Sequence, residues 1–494
     1  MPEGSWAAYV GAETVAVSAF LHSCKKGVQV MSTSDRIAIE TVINVLKQRF
    51  PGRVETGREM CRQHANTITW LENQPPDVVV FAEATQDVAD VVGIGAAYDT
   101  PVIAFGGGTS LEGQVNAPQG GISLDLARMT KVVEVHAEDL DATVEAGVTR
   151  VQLNQYLRDT GLFFPVDPGA ESATLGGMAA TRASGTNAVR YGTMRENVVS
   201  VTAVLADGSI VKTGGRARKS AAGYDLTRLL VGSEGTLGII TELTVRLHGQ
   251  PETMIGAVCL FPTIAAAATV TMQAMQLGGL GLARIELLDA LQIEAVNTYS
   301  KLELESAPTL FVEFHGTAAG LAAQVEMFRE IAMDNGARSF EMATHEDERR
   351  RLWKARHDAY WATKAAWPGR QTLATDVCVP ISRLAECIAQ TEEDIARLGL
   401  LSPIVGHVGD GNFHATPVID PDNAVERQAL EEFLERLAAR AIAMEGTCTG
   451  EHGIGQGKMR YLEKEFGEGG VSMMRAMKTA LDPKGILNPG KLFG

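Results

Sequence analysis

The feature of this sequence that most constrains its fold is a strand–helix–strand pattern that leads directly into a run of glycines. Residues 78–81 (VVVF) predict a buried strand, residues 85–98 predict a helix, and residues 101–105 predict the next strand. This order predicts a sheet that is covered by a helix. The segment GGGTS at residues 106–110 follows at once, and its backbone can turn tightly or approach a bound group closely.

Length and pattern together divide the chain into parts. With 494 residues it is too long for one ordinary core. After Gln250-Pro251 the pattern changes to apolar strands that alternate with Ala-rich helices. We therefore expect one domain at residues 34–250, a second at residues 251–457, and a C-terminal helical tail at residues 458–494.

The N-terminal segment reads differently from the rest. It is rich in small and apolar residues, carries Glu3 and Glu13, and has no arginine before residue 31, whereas a mitochondrial transit peptide is Arg-rich and poor in acids. We interpret residues 1–33 as a disordered extension, with Met31 as an alternative start. The sequence has no uninterrupted apolar stretch of 18 residues. A cytoplasmic location is expected, with peripheral membrane contact or, in a eukaryote, a mitochondrial location as alternatives.

Charge and cysteine usage exclude several classes of protein. The formal net charge of −16 argues against nucleic acid as a partner, because the basic surface that phosphates require is missing. The six cysteines are scattered and form no C-x-x-C pair. A disulfide framework and a Cys-rich zinc or iron–sulfur site are therefore both disfavoured.

Three glycine-rich segments are candidate ligand loops: residues 106–113, 168–185 and 232–238. The first lacks the Gly-Lys-Ser/Thr of a nucleotide-binding P-loop and the spacing of a dinucleotide fingerprint. On its own it is either an ordinary turn or an anion loop. The second is a loop of small residues, which is usually functional or disordered, and small residues would let the backbone approach a large flat ligand. A flexible surface loop is the alternative.

Two histidines near the end of the second domain suggest a metal site. Asp410-Gly411 predicts a two-residue hairpin turn, which would place His407 directly opposite His414. Opposed residues have Cβ atoms about 4.5–5.5 Å apart, so both imidazoles could bind one ion. The alternative is two buried histidines that are satisfied by the backbone. The facing arrangement favours the metal.

A second short segment adds to these ligands. Glu451 could supply an oxygen ligand, while the adjacent His452 would project elsewhere and be free for proton transfer. Two histidines and one carboxylate leave coordination positions open for a substrate, and they suit zinc, manganese or iron. Cys448 could be a further ligand, although one cysteine without spaced partners is more often a packing residue.

These segments also carry a family resemblance. Residues 105–113, 164–192 and 232–238 resemble the FAD domain of the vanillyl-alcohol-oxidase/PCMH superfamily. The histidine segments and the LNPGK of residues 487–491 resemble its FAD-linked oxidase branch, which acts on D-2-hydroxy acids, and the cytochrome-type D-lactate dehydrogenases in particular. The resemblance implies an α+β fold. A PCMH-type FAD-binding domain of two subdomains would carry an α+β cap domain with an antiparallel sheet.

The resemblance also implies roles for individual residues. Arg356 would bind the substrate carboxylate, and His452 would be the catalytic base. The tail would return to the FAD domain and bring Asn488 to the flavin. The metal ligands would be His407, His414 and Glu451. The pyrophosphate would lie against Gly106, Gly107, Gly108, Thr109, Ser110 and Gly113, and the flavin against Asp167, Pro168, Thr174, Gly176, Gly177, Ser184, Ile239 and Ile240.

Two differences from related enzymes narrow what the resemblance implies. The D-2-hydroxyglutarate branch has a lysine two residues before an aspartate that matches Asp376, whereas this chain has Ala374 there. A monocarboxylate substrate is therefore expected. Residues 106–110 contain no histidine, a common covalent tether for FAD in the superfamily, so non-covalent FAD is expected.

The function implied is oxidation of D-lactate to pyruvate by hydride transfer to flavin N5, with a divalent metal and a histidine base. A glycolate oxidase subunit and a D-2-hydroxyglutarate dehydrogenase are alternatives within the family. A metal-binding structural or sensor protein is an alternative without redox chemistry. The electron acceptor could be cytochrome c, a quinone or an electron-transfer flavoprotein.

Overall fold

The strand–helix–strand segment supplies one inner strand, β2, and one edge strand, β3, of a four-stranded sheet in the order β1-β2-β4-β3. Strands β2 and β3 both pair parallel to β4, and β1 pairs antiparallel to β2 at the edge. The computed structural model describes residues 33–65 and 70–493, so almost all of the predicted N-terminal extension lies outside the described residues. The strands are β1 (Val54–Glu55), β2 (Val78–Phe81), β3 (Val102–Phe105) and β4 (Ile122–Asp125).

A second, antiparallel sheet follows in the order β5-β6-β10-β8-β9. Its inward face buries Val144, Val201 and Leu243, which belong to one apolar core. Strands β7 and β11 form a separate pair beside it. The strands are β5 (Val132–His136), β6 (Asp141–Glu145), β7 (Leu162–Phe163), β8 (Val198–Val204), β9 (Ile210–Lys212), β10 (Ile239–Arg246) and β11 (His248–Gly249).

Helices of this half cover the two sheets and shape the glycine-rich loops. Thr149 begins one helix with a capping box to Gln152, and the Thr174 side chain caps another by accepting the N–H of Gly177. The helices are α1 (Thr33–Arg49), α2 (Arg58–Gln63), α3 (Thr85–Ala97), α4 (Arg150–Leu157), α5 (Leu175–Thr181), α6 (Ala188–Tyr191), α7 (Met194–Asn197) and α8 (Leu226–Leu230).

The second half of the chain is built on a seven-stranded sheet in the order β15-β12-β14-β13-β18-β19-β17. All neighbouring strands in it run antiparallel, as expected for the cap. Strands β16 and β20 form a separate pair. The strands are β12 (Thr253–Leu260), β13 (Leu282–Leu288), β14 (Thr309–Gly316), β15 (Ser339–Ala343), β16 (Gln371–Thr372), β17 (Val377–Cys378), β18 (Ile404–Gly406), β19 (Asn412–Ala415) and β20 (Val418–Ile419).

Apolar side chains project from both faces of this sheet, so helices pack on each side. One core contains Phe314 and Phe328, and the other contains Phe311 and Trp353. This mixture of helices and largely antiparallel sheets confirms the α+β class. The helices are α9 (Ile264–Gln276), α10 (Ala290–Ser300), α11 (Ala318–Asp334), α12 (Glu346–His357), α13 (Ala359–Ala366), α14 (Leu384–Leu398), α15 (Ala424–Ala443) and α16 (Met459–Leu481).

The hairpin between β18 and β19 differs from the sequence prediction. His414 pairs with Val405, so the prediction that His407 lies directly opposite His414 is wrong. The connection between the two strands holds five residues, 407–411, because a 3₁₀ turn at Val408–Asp410 precedes Gly411, which takes a left-handed φ of 78°. Hairpin loops of four or five residues are common and are most often built around a turn of this kind.

The C-terminal tail returns to the first sheet. After α16, Ile486 accepts the N–H of Val102 at 2.8 Å, and the N–H of Asn488 donates to the Val102 carbonyl at 3.0 Å. Ile486 and Leu487 are buried in the core of that sheet. This pairing carries the Asn488 side chain to the glycine-rich loops.

Candidate active site

A cavity of 880 Å³ lies between the glycine-rich loops and the cap sheet. Its volume is near the upper end of the roughly 300–1,000 Å³ typical of ligand and cofactor sites. The residues of its wall that the sequence predicted to bind the cofactor are Gly106, Gly107, Gly108, Thr109, Ser110, Asp167, Pro168, Thr174, Gly176, Gly177, Ser184, Ile239, Ile240 and Asn488. The residues of its wall that were predicted to act in catalysis or to bind a metal are Arg356, His407, His414, Glu451 and His452.

Gly113 is the one residue of the predicted ligand set that is not on the cavity wall. Its φ of 79° lies in the left-handed region, and a Cβ there would come within 2.8 Å of the Leu71 and Gln456 side chains. Its backbone conformation and its neighbours therefore account for the glycine without any ligand.

The glycine-rich loops touch each other through bare backbone. A Cβ on Gly107 would lie 2.4 Å from the Ser172 carbonyl oxygen, and one on Gly106 would lie 2.4 Å from Thr174 Oγ1. Beside them the buried Ser110 Oγ has no hydrogen-bond partner among the described residues. An unused hydroxyl on a glycine-lined wall fits a phosphate or other polar part of a nucleotide cofactor.

Asp167 ties the second glycine-rich loop to the cap. Its carboxylate accepts the Thr186 hydroxyl at 2.6 Å and the N–H of Asn187 at 2.9 Å, while Arg284 of β13 donates to it at 3.2 Å. Burial acts to raise the pKa of Asp167, but His357 and Arg284 outweigh it and hold the pKa well below its usual range. An ionised carboxylate therefore fixes this loop against the cap sheet.

The three predicted metal ligands converge at the far end of the cavity. Nε2 of His407 lies 3.2 Å and Nε2 of His414 lies 3.3 Å from the same Glu451 oxygen, Oε1. Among the described residues, these three side chains are the cluster whose ligand atoms all lie within 4.8 Å of one another. A small adjustment would bring them around one ion.

The hydrogen bonds made by Nδ1 of His407 and His414 determine whether Nε2 of each ring can bind a metal. Nδ1 of His407 donates to Glu286 Oε1 at 2.8 Å, and Nδ1 of His414 donates to the Thr375 carbonyl at 2.8 Å. Because both partners only accept, a neutral ring keeps its lone pair on Nε2. Two lone pairs and a carboxylate oxygen then face each other. That arrangement needs a cation between them, so the residues fit a divalent metal.

The same arrangement perturbs the acids and bases involved. Burial acts to lower the pKa of His407, but the carboxylates of Glu286 and Glu451 overcome it and hold that pKa well above its usual value. Burial acts to raise the pKa of Glu451, and His407 and His414 hold it well below its usual range. The site therefore stabilises positive charge, whether a proton or a metal supplies it.

Asp376 holds the backbone of the adjacent residues Glu451 and His452. Its Oδ2 accepts both of their backbone N–H groups at 2.9 Å and the Thr449 hydroxyl at 2.7 Å. With the backbone held there, His452 stacks on His414 at a centroid distance of 5.2 Å and an interplanar angle of 7°. Burial lowers the pKa of His452 to about 4, so its imidazole is neutral and can accept a proton.

Arg356 is held by a carboxylate that sequence reasoning did not single out. Its Nε donates to Glu286 Oε2 at 2.8 Å, and its Nη2 lies 2.6 Å from the same oxygen. Nη2 is nevertheless buried without a well-directed hydrogen bond to any described residue. A guanidinium that is oriented but incompletely satisfied fits a substrate carboxylate.

Comparison with known proteins identifies the family. Residues 250–492 match the model of the C-terminal domain of FAD-linked oxidases, and residues 76–214 match an FAD-binding domain. A probable mitochondrial D-lactate dehydrogenase of Danio rerio is 52% identical, over 89% of this chain and 89% of the relative. This chain belongs to the FAD-linked oxidases. The resemblance noted in the sequence is thereby confirmed.

Other relatives of this FAD-linked oxidase carry related names. A mitochondrial D-lactate dehydrogenase [cytochrome] of Arabidopsis thaliana is 47% identical, over 85% of this chain and 73% of the relative. The glycolate oxidase subunit GlcD of Bacillus subtilis is 35% identical, over 85% of this chain and 89% of the relative. Identity is therefore higher with these two D-lactate dehydrogenases than with this glycolate oxidase subunit.

Solved structures confirm the fold of this FAD-linked oxidase. p-Cresol methylhydroxylase has a TM-score of 0.78 at 16% identity, over 94% of this chain and 98% of the other. 4-Ethylphenol oxidase from Gulosibacter chungangensis has a TM-score of 0.77 at 18% identity, with the same coverage. The PCMH-type architecture expected from the sequence is confirmed.

Several site residues of this FAD-linked oxidase had weak sequence signals. Glu286 and Arg284 are the two charged residues of the strand segment LARIELL, and a carboxylate within a largely apolar strand indicates a buried partner. In the sequence, Asp376 served only to locate Ala374 by comparison with the D-2-hydroxyglutarate branch. In the structure it anchors the loop that carries Glu451. Glu234 accepts the N–H groups of Ile454 and Gly455 at 2.7 and 2.8 Å, and no local pattern links those distant segments.

Proposed function

We propose that this FAD-linked oxidase oxidises a small D-2-hydroxy monocarboxylate, D-lactate above all, to the corresponding 2-oxo acid. The observation that carries the proposal is the cluster of Arg356, His452 and the three candidate metal ligands at one end of the FAD-type cavity. The names of the relatives at 52% and 47% identity support D-lactate as the substrate.

In this proposal FAD, when bound, supplies the hydride acceptor, and a divalent metal supplies a Lewis acid for the substrate hydroxyl. The FAD would lie along the glycine-rich loops and reach Asn488, whose Nδ2 donates to the carbonyls of Gln114 and Glu234 at 3.1 and 2.7 Å. The metal would be held by His407, His414 and Glu451. Zinc, manganese and iron all suit two histidines and a carboxylate.

Arg356 would bind and orient the substrate carboxylate. Glu286 fixes its guanidinium from one side, so the side chain loses little freedom when the substrate arrives. The same carboxylate holds His407, so one buried group would set both the substrate anchor and a metal ligand. The proposal therefore assigns Glu286 a positioning role.

His452 would accept the hydroxyl proton at Nε2. Its ring is stacked on His414, so it lies directly beside one of the candidate metal ligands. The lowered pKa keeps the ring unprotonated at neutral pH, which a general base requires.

Part of the cavity wall on the cap side carries small, uncharged residues. Ala374, Val405 and Thr416 line the wall on the cap side, where a second carboxylate would need a basic partner. This composition favours a short, uncharged substituent on the hydroxyl-bearing carbon, as in D-lactate.

The electron acceptor is proposed on the names of the relatives. The Arabidopsis thaliana enzyme is named for cytochrome, so we propose a cytochrome as the acceptor, and its mitochondrial naming supports that location if the source is eukaryotic. Among the described residues there is no helix with the length and apolar character that a membrane span requires.

A substrate panel tests the proposal. Purified holoprotein is assayed with an artificial dye acceptor against D- and L-lactate, glycolate and D-2-hydroxyglutarate. The highest kcat/KM is expected for D-lactate, with L-lactate inactive. A clear preference for glycolate would favour a glycolate oxidase, and turnover of none of them would contradict the proposal.

A further inference from the structure

The imidazole of His452 has one nitrogen for which the proposed function assigns no partner. Its Nδ1 is buried and makes no hydrogen bond with any described residue. The acidic group closest to it in the described chain is Glu112, whose Oε1 lies 3.9 Å away. If Nε2 is to accept a proton, Nδ1 must carry one, and a buried N–H needs an acceptor.

Glu112 is held in place by the loop that bears His452. Its carbonyl accepts the N–H of Gln456 at 2.6 Å and that of Gly457 at 3.2 Å. A Cβ on Gly457 would lie 2.1 Å from Glu112 Oε2, so the carboxyl group occupies space that only glycine leaves. The position of the carboxyl beside His452 is therefore built into both segments.

Lys458 completes the arrangement from the other side. Its Nζ lies 3.4 Å from Glu112 Oε1 and donates to the Asp376 carbonyl at 2.9 Å. Burial raises the pKa of Glu112, the Lys458 ammonium lowers it, and the nearby Asp376 and Glu234 raise it, which leaves it at about 7. Above neutral pH the group that faces His452 is therefore a carboxylate.

We propose that Glu112 is a positioning residue that fixes the orientation of His452 and keeps the ring proton on Nδ1. The proposal rests on the proposed role of His452 as the base. A small rotation of either side chain closes the 3.9 Å gap to a hydrogen bond, and such bonds often reach full length only with substrate bound. The arrangement is a carboxylate–histidine pair of the kind that holds a catalytic imidazole in one tautomer.

The competing interpretation is that Glu112 is only the counter-ion of Lys458. Lys458 would keep the Asp376 carbonyl as an acceptor if Glu112 became neutral, and Asp376 Oδ2 lies 3.7 Å from its Nζ. A counter-ion role therefore predicts a loss of stability and no change at His452. A positioning role predicts a change in the imidazole itself.

Kinetics of Glu112→Gln, measured above neutral pH with dye acceptor and D-lactate, separate these roles. Because the variant can rotate its amide N–H toward Nδ1 and favour the wrong tautomer, kcat is expected to fall by about 10–100-fold. KM and the bound FAD content should stay within about twofold. The matched control is Glu465→Gln, since Glu465 accepts the N–H of Cys448 at 2.9 Å at the start of the same loop but does not contact His452.

The tautomer of His452 gives a readout that does not depend on turnover. ¹⁵N-histidine spectra of the zinc-loaded holoenzyme are recorded, with His452 assigned by its absence in His452→Gln. The intact enzyme should show the Nδ1–H form, and Glu112→Gln should shift the ring toward the Nε2–H form. An unchanged tautomer in Glu112→Gln overturns the proposal, and so does an unchanged kcat where His452→Gln has lost turnover.

Two further outcomes keep the test decisive. If Glu112→Gln loses FAD, Glu112→Asp is used, which keeps the charge for Lys458 but draws the carboxylate back by one methylene, and it must lower kcat with FAD retained. If His452→Gln itself retains full turnover, the proposed function loses its base. The tautomer measurement still decides whether Glu112 orients the ring, so the two failures are distinguishable.

Discussion

Glu286 lies between Arg356, the proposed substrate anchor, and His407, a candidate metal ligand, and its replacement by glutamine tests whether one buried carboxylate holds both. It is fully buried and accepts from Arg356 at 2.8 Å and from His407 at 2.8 Å. Glutamine keeps one acceptor oxygen but presents an N–H to the other donor. One of the two partners must therefore lose its hydrogen bond.

The magnitude follows from those two contacts. Loss of a hydrogen-bonded partner behind a metal-binding histidine typically weakens metal affinity by about 10–100-fold, or roughly 1.4–2.8 kcal/mol. Leaving the Arg356 charge buried without its partner costs about 3–5 kcal/mol of folding stability if no rearrangement relieves it. We therefore expect Glu286→Gln to lose metal affinity and thermal stability together, with a higher KM for D-lactate.

Metal affinity is measured by competition with a chelator, stability by thermal unfolding, and KM by the dye-linked assay. Glu313→Gln is a matched control, because Glu313 is a buried carboxylate opposite Arg284 in the adjacent strand and accepts from His315 at 2.9 Å. This control should lose stability but keep its metal affinity. Unchanged metal affinity and KM in Glu286→Gln would refute the reasoning.

Three other outcomes follow from the site. His452→Gln should lower kcat by about 10²–10⁴-fold with the flavin spectrum intact, and steady-state kinetics would show otherwise if the base lies elsewhere. Chelation of the metal should abolish turnover without bleaching the flavin, and full activity of metal-free protein would remove the metal from the mechanism. Gly107→Ala should reduce the bound FAD, because its Cβ would lie 2.4 Å from the Ser172 carbonyl, whereas Gly57→Ala, away from the cavity wall, meets no atom within 4 Å and should retain FAD in an absorbance ratio.

Much of the fold could be predicted because its signals are local. The apolar run at β2 and the glycines after β3 identify a sheet edge and its loop from a few neighbouring residues. The α+β class and the antiparallel cap followed from the family resemblance, which rests on long ordered motifs.

In the hairpin between β18 and β19, the sequence correctly predicted that His407 and His414 lie close together, but it predicted the wrong strand register. His407 and His414 do approach, with ring centroids 5.5 Å apart, but through a five-residue connection rather than a direct cross-strand pair. The Asp410-Gly411 signal marks where the chain reverses. It does not fix the register, which also depends on tertiary contacts such as the hydrogen bond that the Val379 N–H donates to the Gly411 carbonyl at 3.0 Å.

The partners of the site residues could not be predicted, since they come from distant segments. Glu286 reaches His407 across 121 residues of chain, and Glu112 approaches His452 from the glycine-rich segment at residues 106–113. No spacing rule connects such positions. They become visible only when the cap sheet and the FAD-type loops are placed against each other.

The most direct test of the central claim is anaerobic mixing of the purified holoprotein with D-lactate while the flavin absorbance is followed. Rapid bleaching by D-lactate, with pyruvate formed in equal amount to the flavin and no bleaching by L-lactate, is predicted. A flavin that stays oxidised with D-lactate, in protein that retains its metal, would contradict the account.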